Sequence, residues 1–370
     1  MEANYKETNS ISASLKSYPM NGGEGPYSYA NNSSLYQKRG LDIAKTFLYE
    51  EITKKLDVKL LCSSSNSFNI ADLGCSVGPN TFLTIQNIIE AIKFNFQSQN
   101  LNPNTIEFQV FFNDHTLNDF NTLFKSLPSD RNYFAAGVPG TFHGSLFPKA
   151  SLHFVHSSYS IQWLSKAPDE VQDQGSLAWN KGRILQDGSE DVEKAYASQF
   201  ADDMVSFLRA RAMEIVPGGF MALLLPCIPH GANPSNCSLI ANLELMGSCL
   251  MDLAKRGFVE EAKVDSFNLP FYFATKQEME LLIQRNGCFK IERMEQMERP
   301  MGDITRPTVE KFALLMRAGF EGIIKQHFGS HEFIEELFNH YTDKLIDHGL
   351  FLDSSYMPML DLFVFLNRIK

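Results

Sequence analysis

With 370 residues, 44% hydrophobic and 21% charged, the chain is long enough for one large α/β domain with an elaborated cap. Its net charge of −10 argues against a nucleic-acid backbone as partner, which would need a basic face. No stretch approaches the ~18 uncharged apolar residues of a membrane span. The six cysteines (Cys62, Cys75, Cys227, Cys237, Cys249, Cys288) form no CxxC pair, so reduced core thiols and a cytoplasmic setting are expected.

In chain order, residues 1–17 are polar, lack the apolar core of a signal peptide, and read as a disordered tail. Residues 41–56 have helical spacing and end before a Ser/Asn patch at 62–67. Residues 69–73 form an apolar strand that carries Asp72. A glycine turn at 74–79 follows, then a helix at 82–96 with Phe82, Ile85, Ile88, Ile89 and Ile92 on one face. Strands are expected at 106–112, 133–138 and 151–156, and helices at 118–127 and 197–215, the latter stopped by Pro217-Gly218-Gly219. The run at 220–225 is continuously apolar, as a buried parallel strand should be. Strand and helix alternate as in a doubly wound sheet. Further on, 239–254, 276–285 and 309–349 read as helices, and 288–294 and 362–366 as late strands. The expected fold is one α/β domain over 18–370. Its Rossmann-like sheet spans about 40–227 plus the two late strands, with an inserted α-helical cap at about 228–285 and 305–350.

Glycines in the turn Gly74-Cys75-Ser76-Val77-Gly78-Pro79 let backbone approach a ligand. Dinucleotide binding would require glycine at Ser76 and Pro79, and a phosphate loop would require a following Lys. An adenosyl ligand without phosphates fits better, and S-adenosylmethionine (SAM) is the leading candidate; an ordinary strand-turn-helix corner is the alternative. Asp114 closes the next strand, where an acid can accept both ribose hydroxyls or, with Asn113 and His115, cap the following helix. Thr141 and Phe142 after the third strand suit an adenine edge and face. After the fourth, Gln162 and Trp163 pair an amide with an indole, neutral donors for a carboxylate or a carbonyl-rich ring. No G-x-S-x-G elbow or HExxH is present, and His153 and His156 would face opposite sides of a strand.

The carrying motifs are Met20-Asn21-Gly22-Gly23-Glu24-Gly25, Ser28-Tyr29-Ala30, Ala71 to Asn80, Phe112-Asn113-Asp114 and Asn118-Asp119-Phe120-Asn121. They continue with Gly137 to Phe142, Leu146-Phe147-Pro148, Ser157 to Ser165, Asn180-Lys181-Gly182 and Asp265 to Pro270. In this order the chain resembles the SABATH family of plant SAM-dependent methyltransferases from about Tyr18 to the C-terminus. The resemblance implies a class I methyltransferase sheet and a homodimer. It implies a SAM site lined by Tyr29, Ser33, Cys75, Asn80, Asp114, His115, Thr141, Phe142 and Ser158. Gln37, Tyr159, Gln162 and Trp163 would meet the methyl acceptor. Where members carry Mg2+, the ligands match Asn180, Asp265, the Phe267 carbonyl and Asn268. The family has two residues between its Asn-Ser pair and the Gln, whereas Asn32-Ser33-Ser34-Leu35-Tyr36-Gln37 has three. Either Ser33 or Ser34 could therefore meet the cofactor.

A carboxylic acid near pKa 4 is ionised at neutral pH and needs no general base, which suits the lack of a catalytic His or Glu. Segments 224–242 and 315–320 and Met359 are expected to shape the acceptor pocket. Salicylate-type members place a bulky Trp near Asn242 and Leu243, so a larger terpenoid or iridoid-type acid is preferred. Segments 245–251 and 291–301 look most like iridoid-acid and farnesoic-acid members. The expected function is methyl-ester formation on a small-molecule acid, with no nucleic-acid or membrane partner. The alternatives are a purine or xanthine N-methyltransferase, since some such relatives carry Gln at Gln162 and an aromatic at Phe320, and a silent metabolite-binding protein.

Overall fold

The structure, a computed structural model, describes residues 18–61, 66–186, 189–298, 308–349, 356–357 and 360–369, without the side chains of 35, 36, 39, 59 and 60. The expected tail, Cys62, Met359 and the expected cap residues 305–307 and 350 lie outside the described residues.

The strands are β1 (Ser67–Leu73), β2 (Glu107–Asp114), β3 (Phe134–Pro139), β4 (Leu152–Ser158), β5 (Ile215–Cys227), β6 (Phe289–Glu298) and β7 (Leu360–Arg368). They form one seven-stranded sheet in the order β3-β2-β1-β4-β5-β7-β6. β1 to β5 pair in parallel, and β7 enters antiparallel between β5 and β6. The chain leaves β1 towards β2 and β3, then returns to β4 on the other side of β1. That reversal opens a crevice beyond the carboxyl ends of β1 and β4, where ligands of such sheets bind.

On one face α1 (Tyr29–Lys55) and α3 (Pro79–Ser98) pack their apolar residues on the sheet; on the other lie α5 (Glu190–Glu214) and α8 (Lys276–Asn286). A separate core unites α6 (Ser238–Lys255), the short α7 (Glu261–Asp265), α9 (Val309–Phe328) and α10 (His331–His348) with the segment around Phe267 to Phe273, forming the cap. The short α2 (Val58–Leu61) joins the core beneath α1 and α3. Expected within the cap, α8 instead buries Met279, Leu282 and Ile283 with α5 against the sheet.

Two helices begin earlier than periodicity suggests. α1 starts at Tyr29, and α5 starts at Glu190, where the Ser189 hydroxyl accepts the Val192 N–H at 3.3 Å and Glu190, Asp191 and Glu193 favour the helix N-terminus. Pro217-Gly218-Gly219 is not a loop. It lies inside β5, where the register jumps from Leu152↔Ile215 to Phe154↔Phe220. Beyond this bulge residues 219–227 are all buried, as befits a central strand.

Candidate functional site

The turn after β1 is built around Gly74, whose φ is +79°. A Cβ there would lie 2.1 Å from the Ser160 Oγ, so only glycine lets the turn pack on the loop after β4. Gly74 and Cys75 donate their N–H groups to the Asn113 carbonyl at 2.8 and 3.0 Å. Ser76 takes φ 50° and donates its N–H to Asp114 Oδ2 at 2.7 Å, while Asn118 Nδ2 holds its carbonyl at 3.1 Å. Asp114 is thus turned into the crevice, and the helix-cap alternative fails. Asp119 takes that role, accepting the Thr122 N–H at the start of α4 (Phe120–Lys125). Burial pushes the Asp114 carboxyl up from its ordinary value, against the Ser76 and His115 N–H groups and the His115 charge.

Beneath the turn, Asp72 pairs with His156 Nδ1 at 2.6 Å and accepts the Thr81 hydroxyl, both carboxylate oxygens being engaged. His153 instead accepts the Asn69 N–H at 2.9 Å and stacks on Phe68.

Tyr29, Ser33 and Gln37 recur every four residues and share a face of α1. The Ser33 hydroxyl is fully buried and has no partner among the described residues. Gln37 Nε2 donates to the Tyr29 hydroxyl at 2.6 Å, and Asn80 Nδ2 donates to Gln37 Oε1 at 2.8 Å. Burial raises the Tyr29 hydroxyl to about 12. Ser34, one residue out of phase, does not line the crevice.

The resulting cleft is open to solvent and, its mouth included, spans about 720 Å³. Tyr29, Ser33, Gln37, Cys75, Asn80, Asp114, His115, Phe142, Ser158, Tyr159 and Trp163 line it, with no Lys or Arg among them. Thr141 is not in the lining; its Oγ1 accepts the His143 N–H at 3.4 Å. An acid beside the Gly74 turn, a buried hydroxyl without a partner among the described residues, and a lining without Lys or Arg fit an adenosyl group without phosphates.

A second cleft of about 640 Å³ shares Met20, Tyr29, Gln37, Tyr159 and Trp163 with the first and adds Gln162. Trp163 is set by Phe271, edge-on at 4.8 Å, and Phe320 at 5.3 Å. Gln162 is buried, and its Oε1 has no partner among the described residues. Tyr159 has φ 53°, a strained value for a tyrosine, and donates its hydroxyl to Asp361 Oδ2 at 2.9 Å. Leu243 faces this cleft, whereas Asn242 turns back to the Ser238 carbonyl at 2.6 Å.

Several lining residues carried no periodic signal. Tyr18, Pro19 and Met20 belong to a strap that crosses both clefts. The Asn21 N–H bonds the Ala318 carbonyl at 2.9 Å, the Gly23 N–H bonds Asp119 Oδ2 at 2.9 Å, and Arg317 lies 3.6 Å over the Tyr27 ring. The strap thereby joins α9 of the cap to the sheet. Its glycine-rich composition was the one available signal.

Asn180 meets Asn268, and Asp265 reaches the same loop two residues on, at Gly182. Asn180 Nδ2 donates to Asn268 Oδ1 at 2.8 Å, and Asp265 Oδ1 accepts the Gly182 N–H at 2.9 Å. Their oxygens suit a hard cation such as Mg2+. Among the described residues no three His, Cys, Asp or Glu side chains group as a metal site.

The family model described as SAM dependent carboxyl methyltransferase matches residues 15–369. Loganic acid O-methyltransferase of Catharanthus roseus is 43% identical over 366 residues, covering 98% of this chain and 97% of that protein. Farnesoic acid carboxyl-O-methyltransferase of Arabidopsis thaliana is 44% identical, covering 78% and 81%. A solved loganic acid methyltransferase with SAH superposes with a TM-score of 0.90 at 43% identity, over 95% of this chain and 99% of that one. A glycine turn at the switch point of a 3-2-1-4-5-7-6 sheet, and likeness along nearly the whole chain, place it in one family: the chain belongs to the SAM-dependent carboxyl methyltransferases.

Proposed function

We propose that the 720 Å³ cleft holds the methyl donor and the 640 Å³ cleft the acceptor acid. Asp114 accepts the ribose hydroxyls, Phe142 walls the adenine, and Ser33, Asn80, Tyr29, Cys75, His115 and Ser158 surround the remainder. Bound SAM supplies an electrophilic methyl carbon on a leaving group that departs neutral. Gln162, Trp163 and Gln37 orient the carboxylate, whose oxygen forms the new bond as the carbon–sulfur pair returns to sulfur, with no proton moved. Tyr159, tethered to Asp361, fixes the boundary between the clefts. The observation that carries this reading is that the clefts share one wall and that, among the described residues, the acceptor side contains no charged residue. A neutral amide and indole orient a carboxylate without the tight ion pair an Arg would form, which would lower its nucleophilicity.

The acceptor is a terpenoid- or iridoid-like acid, because Leu243 and its neighbours leave room that a benzenoid acid would not fill. The protein works as a cytoplasmic homodimeric single domain without nucleic-acid or membrane partners. Its net charge of −10 argues against a nucleic-acid partner, no helix among the described residues is long and apolar enough to cross a membrane, and the dimer rests on the family resemblance. If Mg2+ binds, Asn180, Asp265, the Phe267 carbonyl and Asn268 hold it, tying the 180–186 loop to the cap.

One observation favours a second reading. The orphaned Gln162 Oε1 could accept a ring N–H, as a xanthine would offer. Incubation with SAM, loganic and farnesoic acids, salicylate, jasmonate and methylxanthines, with mass detection, separates the two. A methyl ester from an acid is expected. Methylation of a xanthine alone would establish the second reading, and SAM binding without turnover a silent binder.

A further inference from the structure

Polarity in the acceptor cleft is confined to one end. Tyr29, Gln37, Tyr159, Gln162 and Trp163 stand where it meets the donor cleft. Two of their hydroxyls are engaged: Tyr159 donates to Asp361, and Tyr29 accepts from Gln37. The opposite wall consists of Leu239 and Leu243 from α6, Leu315, Met316 and Phe320 from α9, and Phe271. Leu315, Met316 and Phe320 lie mid-way along a twenty-residue helix, so their backbone groups are bonded within it. Asn242, next to Leu243 in the chain, donates its Nδ2 to the Ser238 carbonyl and does not line the cleft. Among the described residues no side chain of this wall carries a nitrogen or oxygen that could hydrogen-bond a ligand.

We infer that the acceptor is an aliphatic acid, polar only at its carboxyl end, whose hydrocarbon body lies against the α6–α9 wall. The inference rests on the carboxyl-methylation reading above and narrows it. A carboxylate at the polar end meets Gln162 and Trp163, while the body displaces water from leucine, methionine and phenylalanine surfaces. Met20 and Met316, unbranched and polarizable, adapt to an irregular chain. Each hydroxyl carried into this wall loses its water without a replacement, which lowers kcat/KM by roughly tenfold or more. A sugar carries several. A xanthine places two carbonyls and an imidazole nitrogen in the cleft, and the polar end alone cannot satisfy them all.

The test uses the full-length enzyme with SAM and four acceptors: farnesoic acid, a farnesoic acid hydroxylated at its far end, a glycosylated monoterpene acid, and theobromine. Farnesoic acid should show kcat/KM at least about tenfold above the hydroxylated acid and further above the glycosylated one. Equal or better turnover of either polar acid overturns the inference and leaves carboxyl methylation standing. Methylation of theobromine alone overturns both. Leu243→Asn and Leu315→Gln, checked for folding by thermal melting, should each shift the hydroxylated-to-farnesoic ratio towards the hydroxylated acid by about tenfold. An unchanged ratio in both folded variants also overturns it.

Discussion

Arg211 and Glu214, both fully buried in the last turn of α5, meet at 2.7 Å and together grip the loop that carries Phe142. Arg211 donates to the carbonyls of Phe142 and Gly144 at 3.1 and 2.9 Å; Glu214 Oε1 accepts the N–H groups of Leu146 and Phe147 at 2.6 and 3.1 Å. Arg211→Leu strands a buried carboxylate and should cost about 3–5 kcal/mol. The double variant Arg211→Met/Glu214→Leu removes both charges and should recover much of that stability while SAM affinity stays weakened. Thermal melts and calorimetry read the two effects separately; full recovery of SAM affinity would detach the pair from the cofactor wall.

Asp114 sets a pH limit on cofactor binding. Burial raises its pKa, so the carboxylate form proposed to accept the ribose hydroxyls is fully present above that raised value and is lost as pH falls through it. SAM affinity should therefore decline on acidification at a higher pH than an unburied aspartate, near 4, would dictate. For folding the sign is reversed: the buried carboxylate destabilises the native state at neutral pH, and that penalty fades as it protonates. Calorimetric titration of SAM across pH checks this. Asp114→Asn should remove the pH dependence and most of the affinity.

The phase of α1 makes Ser33 and Ser34 unequal. Ser33→Ala should weaken SAM binding by roughly tenfold, the usual worth of one good hydrogen bond. Ser34→Ala should leave it within error. Equal effects on calorimetric affinity would contradict the helix phase.

Gly40 is glycine because Tyr159 crosses its surface. A Cβ there would stand 2.0 Å from the Tyr159 hydroxyl and 2.4 Å from Asp361. Alanine is worth up to about 1 kcal/mol over glycine in a helix interior. The clash should outweigh this, costing about 1–3 kcal/mol and lowering kcat more than SAM affinity. A Gly40→Ala variant that melts higher, with unchanged kcat, would show that Tyr159 moves aside at no cost.

Trp163 packs on Phe271 and Phe320 of the cap, so truncation to alanine mixes packing with chemistry. Trp163→Ala should abolish turnover while SAM binding survives. Trp163→Phe keeps an aromatic but removes the indole N–H, and should lower kcat/KM roughly tenfold with SAM affinity within about threefold. Loss of SAM binding in both variants would make Trp163 a structural residue.

Some of the site could be read along the chain and some could not. The turn at Gly74 was legible because positive φ and close approach admit few residues besides glycine. Strand ends after β2 and β4 were legible through their period and pointed to Asp114, Gln162 and Trp163. The first turns of α1 were not. Tyr29, Ser33 and Gln37 face a cleft, so polar side chains stand where periodicity looks for an apolar face. Asp361, Arg211 and Glu214 were invisible for another reason: each matters only through a partner remote in sequence or position, Tyr159 or the 142–147 loop.

By itself the sequence determined an α/β sheet, a glycine turn suited to an adenosyl ligand, and the residue types of a methyl transfer that needs no base. These are local constraints, written in backbone conformation and side-chain period. Only the tertiary structure decided which side chains share a cavity. It put Ser33 rather than Ser34 into the cleft beyond β1, left Thr141 out of its lining, turned Leu243 rather than Asn242 towards the second cleft, and made one wall of that second cleft hydrocarbon. Such choices depend on how helices from opposite ends of the chain, α1, α6 and α9, pack around one crevice, and no local pattern encodes that packing.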